Sequence, residues 1–239
     1  MEWRENGILL AARRHGETAV IIEVLTRGQG LHAGVVPGGA SRKMAPILQP
    51  GSELDLTWRA RLSEHIGSFK AEPVKSRAYL MENRLTLAAL NSAAGLLSFT
   101  LAEREPHPDL FERTDALFEM IGDGPVWPLA YLRWEMALLQ ELGFGLDLSV
   151  CAVTGVTDGL SYVSPKTGRA VSEVGAGAWK ERLLPLSPDL AGTGTGTRES
   201  VLQGLRVTGH FLENHVARSL GDKPLPPARQ RFIDALGRG

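Results

Sequence analysis

Cys151 opens the stretch CAVTGVTDGLSYVSPKTGRAVS (151–172), where Gly155, Gly159 and Gly168 punctuate short apolar runs. That is the layout of a small metal-clamped ribbon, whose chemistry would be tetrahedral zinc held by four Cys or His ligands. Thr154 stands where a second sulfur is wanted, and the second pair of positions holds Ser172 and Gly175. As a nucleophile, Cys151 would need a base and an electropositive, partly exposed setting. The nearest histidines in sequence are His107 and His210, and no cysteine-enzyme signature surrounds it. A structural role is the reading. His210, Glu213 and His215 share one stretch, but two ligands on one helix face want a spacing of about four. Five apart, His210 and His215 are expected to point away from each other. Glu103, Glu105 and Asp109 flank two prolines and read as a charged connector, and SPKTG lacks the glycine spacing of a phosphate loop. No catalytic constellation emerges.

The sharper signal is VPGGASRKMAP (36–46). Two glycines free the backbone to turn, and Arg42 and Lys43 then sit at a loop tip. A glycine-hinged basic loop between strands suits a phosphate backbone. Arg59 and Arg61 on the solvent face of one strand, and Arg13, Arg14 and Arg27 at turns, extend the same charge. Glu53 and Asp55 share the face of Arg59 and Arg61 and are expected to neutralise part of it. Single-strand binders that stack bases need exposed rings. The N-terminal part has only Trp3, Trp58 and Phe69, with Trp58 on the core face. Phosphate contacts should dominate, giving binding to single and double strands alike, without sequence preference and with strong salt dependence.

The elements that must position these residues are β-rich at first. ETAVIIEVLT (17–26) and GLHAGVVPG (30–38) are β-branched runs. SELDLTWRARLS (52–63) alternates Leu54, Leu56, Trp58, Ala60 and Leu62 against Glu53, Asp55, Thr57, Arg59 and Arg61, so one face meets a core. With GILLAA (7–12) and HIGSFKAEPV (65–74), about five strands fit, and a closed barrel hides their edges. The period changes near Lys75. A helix is expected over 78–102. A second starts near Asp109 as N-cap, with Leu110, Phe111, Leu117, Phe118 and Ile121 at helical spacing. A third starts at Pro128 and stops at Gly143. A fourth spans 199–220 with Val201, Leu202, Leu205, Phe211, Leu212, Val216 and Leu220 as its stripe, and the proline-rich tail adds a short helix. The fold class is α+β: a β-barrel (1–77), then a helical domain (78–239) interrupted by a degenerate, zinc-free ribbon-like insertion at about 150–175.

The bulk numbers agree. The chain has 239 residues, 43% hydrophobic and 22% charged, so a packed core rather than disorder is expected. One cysteine excludes an intramolecular disulfide. No signal peptide and no membrane span is read from the sequence, and a cytoplasmic location is expected. Residues 1–77 hold 11 Lys/Arg against 8 Asp/Glu, and the remainder 15 against 19. A polyanion would therefore meet the N-terminal part.

Nearly end to end, the chain resembles the bacterial recombination mediator RecO family. The resemblance rests on GILLAARRHGETAVIIEVLTRGQGLHAGVVPGGASRK, LQPGSELDLTW, LRWEMALLQELGFGLDLSVCAVTG and HFLENHVARSLGDKPL, in that order and spacing. It implies an OB-fold, a helical domain and, in many members, a four-cysteine zinc ribbon, of which this chain retains Cys151 alone. It implies a non-enzymatic, nucleoid-associated DNA-repair protein without a cofactor that anneals complementary strands. The implied partners are RecR and the C-terminal tail of single-stranded-DNA-binding protein, with RecA served indirectly. An acidic tail ending in an apolar residue needs an apolar pocket rimmed by cations. Leu132 and Met136 (with Leu139) beside Arg133, and Arg218, are the candidates. An OB-fold RNA-binding module of translation and a cysteine-dependent enzyme remain as alternatives.

Overall fold

The computed structural model describes residues 1–62 and 65–238. The chain divides into two compact units, Met1–Glu119 with Pro226–Phe232, and Met120–Leu225 with Ile233–Gly239.

The first unit contains a closed five-stranded barrel of order β1-β2-β3-β5-β4. Its strands are β1 (Glu2–His15), β2 (Ala19–Thr26), β3 (Gly30–Val36), β4 (Glu53–Arg59) and β5 (Ser68–Lys75). β1 is long enough to serve twice. Its first half pairs with β4 from Glu2↔Arg59 to Ile8↔Glu53, and its second half pairs with β2. An irregularity between Leu9 and Ala11 marks the changeover, and such bulges bend a strand as barrel closure requires. The alternation expected for β4 holds from Leu54 to Trp58, whose side chains fill the barrel core with Leu9, Ile22, Val24 and Phe69. It does not continue to residue 63. The strand stops at Arg59, and Leu62 is 48% exposed rather than on the core face. Ser63 lies outside the described residues.

The helix expected over 78–102 is divided. A 3-10 turn (Ala78–Met81) precedes α1 (Arg84–Thr100), which Asn83 caps by accepting from the Leu85 amide at 2.8 Å. Asp109 is not the N-cap of the next helix, α2 (Pro108–Met120). It lies inside the first turn, where its charge complements the helix dipole.

Arg77 links barrel and helices. Its residue is 1% exposed. Nη1 donates to the Gly51 carbonyl at 2.8 Å, Nε donates to Glu119 at 2.8 Å, and Nη2 reaches Asp115 at 2.5 Å and also Glu119. The guanidinium lies 5.8 Å from the Phe118 ring centre, and Lys75 adds a second cation to Glu119. Burial pushes the Glu119 carboxyl up, but Lys75 and Arg77 outweigh it and hold it below its ordinary value.

The second unit holds α3 (Trp127–Glu141), a three-stranded sheet of β6 (Leu160–Val163), β7 (Ala170–Ser172) and β8 (Leu184–Pro185) in the order β7-β6-β8, the short α4 (Glu173–Ala176), and α5 (Arg198–Phe211). α3 carries Pro128 in its first turn, and Gly143 follows its last turn at φ +81°, as expected. α3 and α5 meet at Gly204, where an added Cβ would stand 2.5 Å from Leu132 Cδ2. Buried Glu135 accepts from the Thr208 hydroxyl at the same contact.

The fourth helix is not one α-helix over 199–220. After α5 a π-turn spans Leu212–Val216 and α6 (Ala217–Ser219) ends it, with Leu220 37% exposed. The tail forms α7 (Pro227–Arg238).

Replacing Arg77 by Ala should cost about 3 kcal/mol, because it strands the buried Gly51 carbonyl and opens a void, while Asp115 and Glu119 stay partly solvated and Glu119 keeps Lys75. Arg77→Lys should recover little, since an ammonium cannot reproduce the fork. Denaturant titration checks both. Glu119 has a depressed folded-state value. Its contribution to stability is present above its unfolded value and is lost as pH falls through the folded one. The fall in stability below about pH 5 should therefore be shallower in Glu119→Gln than in the parent.

Candidate nucleic-acid interface

Between β3 and β4 the chain makes a run of tight turns. Gly38 turns at φ +69°, and Gly39 packs so closely that a Cβ would stand 2.9 Å from Val20 Cβ. The Ala40 amide donates to Thr18 O at 3.0 Å. Helical turns follow, with the Ala45 amide donating to Ser41 O and the Leu48 amide to Met44 O. Ala40, Met44, Ile47 and Leu48 pack against the barrel core. Arg42 and Lys43 are left exposed on the crest, with no ion pair among the described residues. The loop is thus a braced ridge, which spares a ligand the cost of ordering it.

Two concavities flank the ridge. One, of about 170 Å³, is lined by Arg13 and Arg14 of β1 together with Gly39, Ala40, Ala45 and Gln49. Neither arginine makes an ion pair among the described residues. The other is a groove of about 670 Å³ that the ridge shares, through Pro37 and Met44, with Arg4, Thr57, Arg59 and Lys70. Its cations are engaged: Arg4 with Asp55 at 2.5 Å, Arg59 with Glu2 at 2.8 Å and Lys70 with Glu72 at 2.8 Å. The carboxylates of Glu2 and Asp55 are held below their ordinary values, first by hydrogen bonds from Arg59 and Arg4 respectively.

Arg13 and Arg14 thus share a concavity with Gly39, Ala40, Ala45 and Gln49 of the ridge whose crest carries Arg42 and Lys43. Arg59 lies on the far side of the ridge, and its partner is Glu2 across the strand pair rather than Glu53 or Asp55. Glu53 instead accepts from Asn6, and Asp55 from Arg4. Arg61 is exposed beyond the end of β4. Arg27 is at the opposite end of β2, about 20 Å along the strand, paired with Glu112 at 3.1 Å. Arg4 and Lys70 escaped the sequence reading, which began the first strand at Gly7. The alternation Glu2, Arg4, Asn6 is the signal that would have found Arg4.

The rings are spent internally. Trp3 stacks on Trp58 with centroids 6.0 Å apart, and His32 meets Trp58 edge-on at 4.8 Å. Trp58 and Phe69 are each 2% exposed. His32 has both ring nitrogens buried without a hydrogen-bond partner among the described residues. Burial, then the nearby charge of Arg104, lowers its pKa to about 4.

In the second unit, the four ribbon positions do converge. The Ser172 amide and hydroxyl donate to Cys151 Sγ at 3.2 and 3.3 Å, and the Thr154 amide at 3.4 Å. Ser172 Oγ accepts from the Gly175 amide at 3.1 Å, and a Cβ on Gly175 would stand 3.0 Å from Sγ. Cys151 packs with Val171 and Ala176, and with Leu160, Tyr162 and Leu183 at the margin. The geometry is that of a metal knuckle, but its donors are one sulfur, two hydroxyls and a glycine, which do not fit tetrahedral zinc. Burial pushes the Cys151 thiol up. Hydrogen bonds from Ser172 and Thr154 outweigh it and lower the pKa to about 6. Sγ is nevertheless enclosed, with the residue 2% exposed.

His210 and His215 do not point apart. The π-turn bonds i to i+5, so residues five apart share a face. The two rings lie 6.1 Å apart, and Nε2 of each donates to the Pro165 carbonyl, at 3.2 and 2.9 Å. They pin the 164–168 turn. Of the candidate tail-binding residues, Leu132 is fully buried, Met136 is half-buried, and Arg133 and Arg218 are exposed. Arg218 donates to Asn214 Oδ1 at 3.3 Å.

A closed five-stranded barrel of this strand order defines the class: an OB-fold barrel followed by helices. The family follows from comparison with known proteins. Residues 1–77 match the family described as Recombination protein O N terminal, and residues 81–224 match Recombination protein O C terminal. The chain belongs to the recombination protein O family. It is similar to proteins named DNA repair protein RecO. That of Jannaschia sp. (strain CCS1) is 62% identical, over all of this chain and 97% of the relative. Those of Roseobacter denitrificans and Ruegeria sp. (strain TM1040) are 59% and 57% identical, over all of this chain and 99% of each relative.

Introducing Thr154→Cys, Ser172→Cys and Gly175→Cys together should create a site that retains about one zinc per chain, as a four-thiolate knuckle does. Metal analysis after dialysis, with the parent alongside, checks it.

Proposed function

We propose that this chain is a non-enzymatic, DNA-binding mediator of recombinational repair. The observation that carries the reading is the braced ridge. Arg42 and Lys43 on its crest and Arg13 and Arg14 on the strand beside it form a group of four cations with no ion pair among the described residues, in the N-terminal part, which has net positive charge. Such a cluster grips phosphates and leaves bases outward, so it holds single and double strands and permits two bound strands to pair. The names of the relatives support the repair setting. On this reading the barrel of 1–77 is the DNA-binding part, and 78–239 receives protein partners. Strand annealing, action with RecR, and help in loading RecA onto DNA coated by single-stranded-DNA-binding protein complete the proposal. That protein's acidic tail is assigned to Arg133, Met136 and Arg218. The setting is the cytoplasm, at the nucleoid. A cysteine-dependent enzyme is disfavoured, because Cys151 is enclosed and hydrogen-bonded to hydroxyls and amides, not to a base.

Arg42→Ala with Lys43→Ala should weaken binding to single-stranded and duplex DNA while leaving the melting temperature unchanged. Each lost phosphate contact should flatten the log–log salt dependence by roughly 0.7 for single strands or 0.9 for duplex. Fluorescence anisotropy across a salt series reads this. A slope identical to the parent's would remove the ridge from the interface. Arg27→Ala should leave the slope unchanged.

A further inference from the structure

The five tryptophans divide by exposure. Trp58, Trp127 and Trp134 are buried and Trp3 is half-buried, whereas Trp179 is 62% exposed. Trp179 stands on a 3-10 turn of the second unit, Gly177–Arg182, all six residues of which are exposed. An indole left in water forgoes one of the largest burial gains open to a side chain.

The turn is fixed from both sides. Lys180 donates to Glu173 at 2.5 Å, and Glu173 also accepts from the Tyr162 hydroxyl at 2.8 Å. The Leu183 amide donates to the Lys180 carbonyl at 3.2 Å, and the Leu183 side chain packs against the Cys151 cluster. In a 3-10 turn, residues i and i+3 eclipse. That sets Arg182 beside Trp179, with its guanidinium 5.0 Å from the ring centre. The ring is thus backed by a cation and otherwise largely in solvent, held in place before any ligand arrives.

A fixed, exposed ring with a guanidinium behind it is the combination on which unpaired bases stack. Local charge decides between occupants. Lys180 is spent on Glu173, and Arg182 is offset by Glu181, two residues back along the turn and on another side of it. A duplex, which offers phosphates and hides the faces of its bases, therefore meets no net charge here. A single strand offers those faces. A protein hot spot needs neighbours that seal its ring from water, and the exposed Gly177, Ala178, Lys180 and Glu181 are too small or too polar for that.

We propose that Trp179, backed by Arg182, is a stacking platform for an unpaired nucleic-acid base. The inference rests on the DNA-binding reading above and deepens it: the ridge grips phosphates of any strand, and the platform favours single strands.

The test uses the full chain and fluorescein-labelled probes read by anisotropy. They are an oligothymidylate of about 40 nucleotides, several times the span of one single-strand site, a strand of the same length made of abasic units, and a duplex of equal length. Trp179→Ala should weaken oligothymidylate binding by about tenfold, the scale of one lost base stack. The salt slope should stay as it is, because no phosphate contact is lost. Affinity for the abasic strand and the duplex should match the parent's, as should the melting temperature. Trp179→Phe, which keeps a ring, should recover most of the loss. As an independent readout, oligothymidylate should quench the parent's indole emission, the abasic strand should not, and Trp179→Phe should lose most of the quench. Unchanged oligothymidylate binding in Trp179→Ala overturns the proposal and leaves the ring to a protein partner. An equal loss on the abasic strand or the duplex overturns it too. If the parent binds none of the three probes, the DNA-binding reading fails and the platform with it; if the parent binds them and Trp179→Ala does not discriminate, the platform alone fails.

Discussion

A buried guanidinium ties the barrel to a helix that follows it. Arg77 sits just past the last barrel strand, and it spends its donors on one barrel carbonyl, Gly51 O, and on two carboxylates of α2. Gly51 is the foot of the ridge. Its own amide donates to Leu9 O at 2.7 Å, and its φ of +86° lets the chain pass Leu90 where a Cβ would stand 2.8 Å from Cδ1. The ridge is thereby fixed at its base by a charge that cannot leave without stranding its partners.

Exposed arginines are not equivalent, and the barrel sorts them by pairing rather than by number. Arg4 and Arg59 on the β1–β4–β5 face are tied to carboxylates one strand away, and Lys70 to Glu72 on its own strand. Those on the ridge and its flank have no ion pair among the described residues. Exposed pairs contribute little to stability, but they decide where a polyanion finds uncompensated charge. The net charge of residues 1–77 understates this contrast.

Period-two alternation made the barrel legible, because a half-buried strand must expose every other residue. Its ends were less so. The first half of β1, EWRENG, has too few apolar residues to announce itself, yet it completes the pairing with β4. Leu62 continues the alternation of β4 in sequence only, since nothing at the barrel rim remains for it to cover. The ribbon positions Cys151, Thr154, Ser172 and Gly175 were recoverable from spacing, and they do meet. The approach of His210 and His215 was not, because spacing rules assume 3.6 residues per turn and a π-turn departs from that. Which arginines are neutralised depends on cross-strand register, which no single strand's sequence carries.

A ribbon clasped by one sulfur and two hydroxyls has a chemical consequence for the cell that holds it. Zinc ribbons fold only when metal is supplied, and oxidants that attack their thiolates release the metal and the fold together. Here the donors are one sulfur and two hydroxyls, which do not make such a site. One sulfur has no internal partner for a disulfide, and the sulfur present is enclosed. The ribbon's fold therefore rests on hydrogen bonds and packing rather than on a four-thiolate site that chelation or peroxide would dismantle.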